Sequence, residues 1–368
     1  MQRSSAMTGV GRDWDAFLKS DIHDKLPFFT REGRLYDCLF SQQFDRKLLD
    51  HIFEVANRLR KLTKTKKGAD FTASLLSHKR AMLYFVQPST RTFLSFQNAC
   101  HILGLKTSEI RDTSTSSEIK GESPEDTVRT FSSYVDLIIM RHPAPGFVEK
   151  TAWVMNRARR AVPVINGGSG KDQHPTQALL DVYTLDRHLA GGLDGKRVVM
   201  AGDLKRGRTV RSLSYLMKNY RGVSLVFVAP PELRMERDIL DFLERHRIPY
   251  EEAPDLESAL SGADAVYMTR IQDEHDAAGE SKGIDYSRFH FKTGHLRRIK
   301  EGCVILHPLP RRNEIHPEVD EDERAVYWRQ ERNGMWARAA LIAYIFGVDE
   351  RILGMREHSP ARRARREH

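Results

Sequence analysis

The chain has 368 residues, 40% of them apolar and 30% charged, with a net charge of +9 at neutral pH. That balance excludes a disordered or fibrous chain, and no run of about 18 apolar residues is present to cross a membrane. Three scattered cysteines, Cys38, Cys100 and Cys303, argue against a disulfide framework or a cysteine-based zinc site and point to a reducing, cytoplasmic compartment.

Residues 1–34 show no clear periodicity and are expected to form an N-terminal extension, with no secretory signal at its start. Over 44–62 the apolar residues fall at helical spacing. Residues 81–86 are a short apolar run, expected to be a buried strand, and a helix over 92–103 follows Gln87-Pro88-Ser89. Further buried strands are expected at 137–140 and 162–165, with helical segments between, and a helix over 174–189 leaves the first half of the chain. A second strand–helix series has its strands near 196–203, 223–229, 265–269 and 303–306. The last helical pattern, 335–345, is apolar nearly all round and is expected to be well buried.

This alternation predicts an α/β architecture of two similar-sized domains, each a parallel sheet flanked by helices, with an interdomain cleft. The expected boundaries are 35–170, completed by a C-terminal helix over 334–350, and 171–333, with a solvated basic tail over 353–368. The positive charge outside the tail suits anionic small molecules. No zinc-finger or RNA-binding motif supports a nucleic-acid partner.

Open parallel sheets bind ligands beyond the carboxyl ends of their strands. There the sequence places Ser89-Thr90-Arg91-Thr92. A helix start with three hydroxyls and a guanidinium can cradle an anion. The plainer alternative is a well-capped helix with proline at its first position. An arginine in the first turn opposes the helix dipole, which is easier to understand beside an anion. Arg141 directly follows a strand and could reach a phosphate or a carbonyl oxygen, or simply lie in a surface turn. His174 precedes Pro175 at a helix start, with Gln177 one turn on along the same face. A neutral imidazole there could donate to a carbonyl oxygen, although a lone histidine is more often structural.

The segment 202–209 lacks G-x-G-x-x-G spacing, and no G-x-x-x-x-G-K-[ST] occurs, so nucleotide binding is disfavoured. Arg208 sits at a helix start, suited to a carboxylate or phosphate. Arg270 and Gln272 end a strand, and His307-Pro308-Leu309-Pro310 follows another, its prolines leaving carbonyls to accept from an amino or amide group. The polar loop 113–122, with Ser116 and Lys120, reads as a mobile lid or, on composition alone, a solvated loop.

Taken in order and spacing, these segments resemble the aspartate/ornithine carbamoyltransferase family over roughly residues 35–350, and its aspartate branch in particular. The ornithine branch typically carries His-Cys-Leu-Pro and Ser-Met-Gly segments where this chain has His307-Pro308-Leu309-Pro310 and Thr269-Arg270-Ile271-Gln272. Two arginines, Arg208 and Arg270, also suit a dicarboxylate acceptor better than a diamine. The resemblance implies that Ser89, Thr90, Arg91, Thr92, Arg141, His174, Gln177, Pro308 and Leu309 bind carbamoyl phosphate. It further implies that Arg208, Arg270 and Gln272 hold L-aspartate, and that Ser116 and Lys120 reach into a neighbouring subunit's site, Ser116 binding carbamoyl phosphate and Lys120 both substrates. Arg91, Thr92, Lys120, Arg141 and His174 are the implied catalytic set, without metal or cofactor. The helix around Arg338 resembles one that returns to pack on the first domain.

The implied reaction joins carbamoyl phosphate to L-aspartate early in de novo pyrimidine synthesis. The implied assembly is a homotrimer with shared sites, open to a regulatory or dihydroorotase partner chain and without nucleic-acid or membrane partners. A carbamoyltransferase for another amine, or a non-catalytic assembly paralogue, are the alternatives. The chain departs from the branch at Gln87 and His275, where Glu and Arg are common, so the resemblance implies a differently stabilised domain closure; Phe93 also stands where an Arg is common.

Overall fold

In the computed structural model, which describes residues 13–112, 122–170, 173–272 and 283–355, the chain opens with α1 (Trp14–Lys19), α2 (Ile22–Lys25) and a hairpin of β1 (Thr30–Arg31) and β2 (Arg34–Leu35). The segment expected to be an N-terminal extension, in which no periodicity is legible, is folded from residue 13 onward. Its signal was aromatic content rather than period. Phe17, Phe28 and Phe29 meet with ring centroids 5.0–5.8 Å apart, and Trp14 lies 5.7 Å from Trp153.

The helices α3 (Arg46–Leu62) and α4 (Lys66–Ser74) follow, capped by the Asp45 and Thr65 side chains. The first sheet is built from β3 (Arg80–Phe85), α5 (Thr90–Ile102), β4 (Lys106–Ile110), α6 (Pro124–Tyr134), β5 (Leu137–Arg141), α7 (Phe147–Arg157) and β6 (Val164–Asn166). Its strands are all parallel, in the order β4-β3-β5-β6. The helix α8 (Pro175–His188) leads to β7 (Arg197–Ala201), α9 (Arg208–Leu216), β8 (Ser224–Val228), α10 (Arg237–Arg245), β9 (Tyr250–Ala253), α11 (Leu256–Ala259), β10 (Ala265–Met268) and β11 (Val304–Leu306). This second sheet is also all parallel, in the order β11-β10-β7-β8-β9. The chain ends with α12 (Tyr327–Ile345) and α13 (Asp349–Gly354). None of the described helices is long and apolar enough to cross a membrane.

Besides the β1–β2 hairpin, two strands of the parallel sheets were not expected from the sequence. β4 and β9 are polar edge strands with no buried residue, so they lack the apolar run that marks a central parallel strand.

The helix α12 begins at Tyr327 rather than near 335. Its early turns bury polar groups that conceal the helical pattern. The Gln330 Nε2 donates to Asp181 Oδ1 at 2.6 Å, and Asn333 Nδ2 donates to Thr184 Oγ1 at 3.1 Å. The helix packs against α3, α5 and α8, so the end of the chain braces the first domain. Ala337, Leu341 and Leu179 are wholly buried in this core. A fully buried leucine contributes about 1.5–3 kcal/mol. Leu353 and Gly354, assigned to the basic tail, belong to α13, and 356–368 lie outside the described residues.

Each sheet has a switch point. The chain steps from β3 outward to β4, then returns to the other side of β3 with β5; likewise it runs β7, β8, β9 and returns beside β7 with β10. A crevice opens at the carboxyl ends of the strands where such a reversal occurs. Both crevices empty into one cavity.

Candidate active site

The cavity encloses about 480 Å³. Its walls are the loop after β3 (87–92), Arg141 at the end of β5, His174 and Gln177 at the start of α8, and Arg208 and Thr209 at the start of α9. Thr269, Arg270 and Gln272 after β10, the turn 307–310 after β11, and Glu331 and Arg338 from α12 complete it. Every site residue expected from the sequence and present among the described residues therefore lines a single cavity. Ser116, Lys120 and His275 lie outside the described residues.

Three helices begin at this wall: α5 behind Ser89, α8 behind His174 and α9 behind Gly207. None has a side-chain cap. Ser89 takes the cap position of α5, so Pro88 precedes the cap rather than opening the helix, and the Ser89 hydroxyl is not spent on the helix. Uncapped first-turn N–H groups carry partial positive charge and suit an anion.

Arg141 is 8% exposed and donates from Nη1 to Gly167 O at 3.1 Å. Behind it, Asn166 Oδ1 accepts the N–H groups of Gly168 (2.8 Å) and Ser169 (3.0 Å), which shapes the loop after β6. Gly168 has φ +93°, and a methyl group there would lie 2.6 Å from His174 Nε2 and 2.7 Å from Arg141 Nη1. Only glycine permits this approach of the two side chains. The backbone N–H of His174 donates to Ser212 Oγ at 2.9 Å, while its ring Nδ1 is buried without a protein partner.

Burial, then the charges of Arg141, Arg208 and Arg338, pushes the His174 imidazole well below its usual range. It is neutral at pH 7 and can donate a hydrogen bond without carrying charge. Burial, then Arg208 and Arg338, lowers Arg141 to about 9, which leaves it protonated at neutral pH. Arg338 is 2% exposed, sits 4.9 Å from the Phe96 ring centroid, and is lowered by burial to about 10. Its Nε and Nη2 are buried without a protein partner. Among the described lining residues five are arginines and one, Glu331, is a carboxylate.

The opposite wall is built by hydrogen bonding. Arg208 Nη1 donates to Gly170 O, Arg270 Nη1 to Ile271 O (2.9 Å), and the Gln272 N–H to Asp203 Oδ2 (3.1 Å). The His307 N–H donates to Gln330 Oε1 at 3.0 Å. Its ring Nδ1 accepts the Leu309 N–H at 2.8 Å and its Nε2 donates to Glu314 Oε1 at 2.6 Å, which fixes the turn. Gln177 Nε2 donates to the buried Asp181 Oδ1 at 2.9 Å, and the Tyr267 hydroxyl donates to Asp181 Oδ2 at 2.8 Å.

Sequence reasoning passed over Glu331 as a wall residue and treated Arg338 only as a marker of the returning helix. The available signal was a charge inside a helix that is otherwise apolar on every side. Glu331 had none, because it precedes the segment recognised as helical.

Two family models match: "Aspartate/ornithine carbamoyltransferase, carbamoyl-P binding domain" over residues 37–187 and "Aspartate/ornithine carbamoyltransferase, Asp/Orn binding domain" over 194–345. Aspartate carbamoyltransferase 1, chloroplastic, of Pisum sativum is 40% identical over 329 residues, covering 87% of this chain and 81% of that protein. The catalytic subunit of M. jannaschii aspartate transcarbamoylase superposes with a TM-score of 0.76 at 34% identity, covering 86% of this chain and 99% of that one. Aspartate transcarbamoylase from Trypanosoma cruzi, in complex with carbamoyl aspartate and phosphate, gives a TM-score of 0.76 at 32% identity over 83% of this chain and 94% of that one.

Proposed function

The chain belongs to the aspartate/ornithine carbamoyltransferase family, and from that premise we propose how its cleft carries the carbamoyl group of carbamoyl phosphate to L-aspartate. The activity is that of the aspartate carbamoyltransferases, giving N-carbamoyl-L-aspartate and phosphate in an early step of de novo pyrimidine synthesis. The observation that carries the mechanism is one cavity lined by five arginines and a neutral buried histidine at the switch points of two sheets.

Carbamoyl phosphate binds with its phosphoryl group at the uncapped start of α5, held by Ser89, Thr90, Arg91 and Thr92. Arg141 and His174, brought together over Gly168, point their donors at the carbamoyl oxygen, with Gln177 alongside. Aspartate enters against the second domain, its carboxylates on Arg208 and Arg270 and near Gln272, and Pro308 and Leu309 carbonyls accept from the reacting amino and amide groups. The unprotonated amine attacks the carbamoyl carbon, the C–O bond to phosphate breaks, and the departing phosphate takes the amine proton. Thr92, Arg141 and His174 stabilise the oxygen as negative charge develops on it. Preorganised donors of this kind contribute roughly 3–4 kcal/mol each, and holding both substrates in one cavity removes most of the entropic cost of their meeting.

Incubation of the purified protein with carbamoyl phosphate and either L-aspartate or L-ornithine tests this. Carbamoyl-aspartate alone is expected. Product from ornithine only would overturn the assignment of the second wall.

The assembly belongs to the same proposal: a homotrimer in which loop 113–122, with Ser116 and Lys120, completes a neighbour's cleft. Leu94 and Tyr134, large side chains exposed on the first domain, support an interface there. A mass of three chains in solution is expected, and heavier species would reveal a regulatory or dihydroorotase chain. A cytoplasmic location is supported by Cys38, Cys100 and Cys303, all buried and unpaired, and fractionation checks it.

A further inference from the structure

Glu331 projects from α12 into the arginine-rich cavity, with Oε1 4.0 Å from Arg91 Nε at the start of α5. It is the one carboxylate among the described lining residues, and Gln87 in the same wall carries no charge. We propose that Glu331 sets the affinity of the cleft for the phosphoryl group of its substrate, acting as an internal anion that competes for Arg91.

The inference rests on the reading of this cavity as the carbamoyl phosphate site. A phosphoryl dianion drawn to Arg91 must either displace the Glu331 carboxylate or lie beside it, and like charges so close repel strongly. The charged groups around Glu331 are Arg91 from α5, Arg338 from its own helix and Asp181 from α8, with the Tyr267 hydroxyl of β10 beyond. Burial raises the Glu331 carboxyl, while Arg338 and Arg91 pull it down less strongly, so the group lies above the usual range. An arriving phosphoryl group favours the protonated form still further. Binding is therefore linked to proton uptake, and Glu331 weakens it most at high pH, where the carboxyl is ionised.

The test is titration of the full-length wild-type protein, Glu331→Gln and Glu331→Asp with inorganic phosphate by calorimetry over a pH series from about 5 to about 8.5, upward from the ordinary glutamate range. The Gln variant is expected to bind phosphate roughly tenfold more tightly at the highest pH, where removal of one facing charge has its full effect. The gain shrinks toward the lowest pH. Phosphate's own ionisation is common to all three proteins, so the ratio of their dissociation constants reports position 331. Glu331→Asp keeps the charge and should retain the wild-type pH dependence. Equal affinity of wild type and Gln variant, a ratio that does not change with pH, or an Asp variant that behaves like Gln would each overturn the proposal. A wild-type protein that binds no phosphate would overturn the site reading and this inference with it.

Discussion

His174 and His307 are buried in the wall of one cavity, 4% and 0% exposed, yet their surroundings differ. Both ring nitrogens of His307 are engaged, Nδ1 accepting the Leu309 N–H and Nε2 donating to Glu314. Burial pushes its pKa down, and although burial also pushes the Glu314 carboxyl up, the hydrogen bond from His307 brings that carboxyl below its usual value. The pair is a neutral imidazole on a carboxylate, and it holds a turn. His174 has arginines around it, and its Nδ1 has no protein partner. A buried polar atom left unpaired costs about 1–3 kcal/mol, which is tolerable where a substrate supplies the partner. The residue type is therefore uninformative, and the partner set separates a positioning group from a substrate-contacting one.

The comparison sharpens through substitution. Arg141→Ala removes the charge beside His174 and should lower kcat by about 10²–10³-fold, as loss of an oxyanion donor does, with little change in Tm. An unchanged kcat would remove Arg141 from the chemistry. His174→Ala is expected to lower kcat by roughly 10²-fold while leaving Tm near wild type, because no protein hydrogen bond to the ring Nδ1 is lost. His307→Ala should show the converse profile. It strands the Leu309 N–H, leaves the Glu314 carboxylate only the Arg312 N–H, and should cost about 2–4 kcal/mol of stability, measured by denaturant unfolding. Equal stability losses in the two histidine variants would break the distinction.

A pH-dependent effect comes from Asp181, which ties Gln177 to β10 and α12 through Tyr267 and Gln330. Burial raises its carboxyl to about 7 against the partly offsetting hydrogen bonds. The folded state then keeps a proton that the unfolded chain loses near its ordinary pKa of about 4. The unfolded state binds fewer protons in that interval, so this group's contribution to stability falls as pH rises from about 4 to about 7 and levels off above. Asp181→Asn should flatten that slope, a change on the order of 4 kcal/mol across the window, read as Tm against pH.

Much of the fold was legible because central parallel strands are buried on both faces and so form apolar runs. β3, β5, β7, β8 and β10 stood out in this way. The edge strands β4 and β9 did not, and neither did the start of α12, where Gln330 and Asn333 are buried by hydrogen bonding rather than by apolarity. The polar residues at strand ends, such as Arg141, Arg270 and Gln272, could be selected as site candidates from the physics of open sheets alone. Their separate roles came from the resemblance.

The sequence by itself determined two parallel α/β units, the strand ends that carry polar side chains, and the family, because strand burial and motif order are local properties of the chain. Only the tertiary structure decided that α12 folds back to put Glu331 and Arg338 into the same cavity as Arg91. Only it decided that Gly168 brings Arg141 and His174 together, and that His307 is spent on its own turn. Each of these depends on which groups meet across long separations in the chain, and on how far burial there withdraws charges from water; no local pattern encodes either.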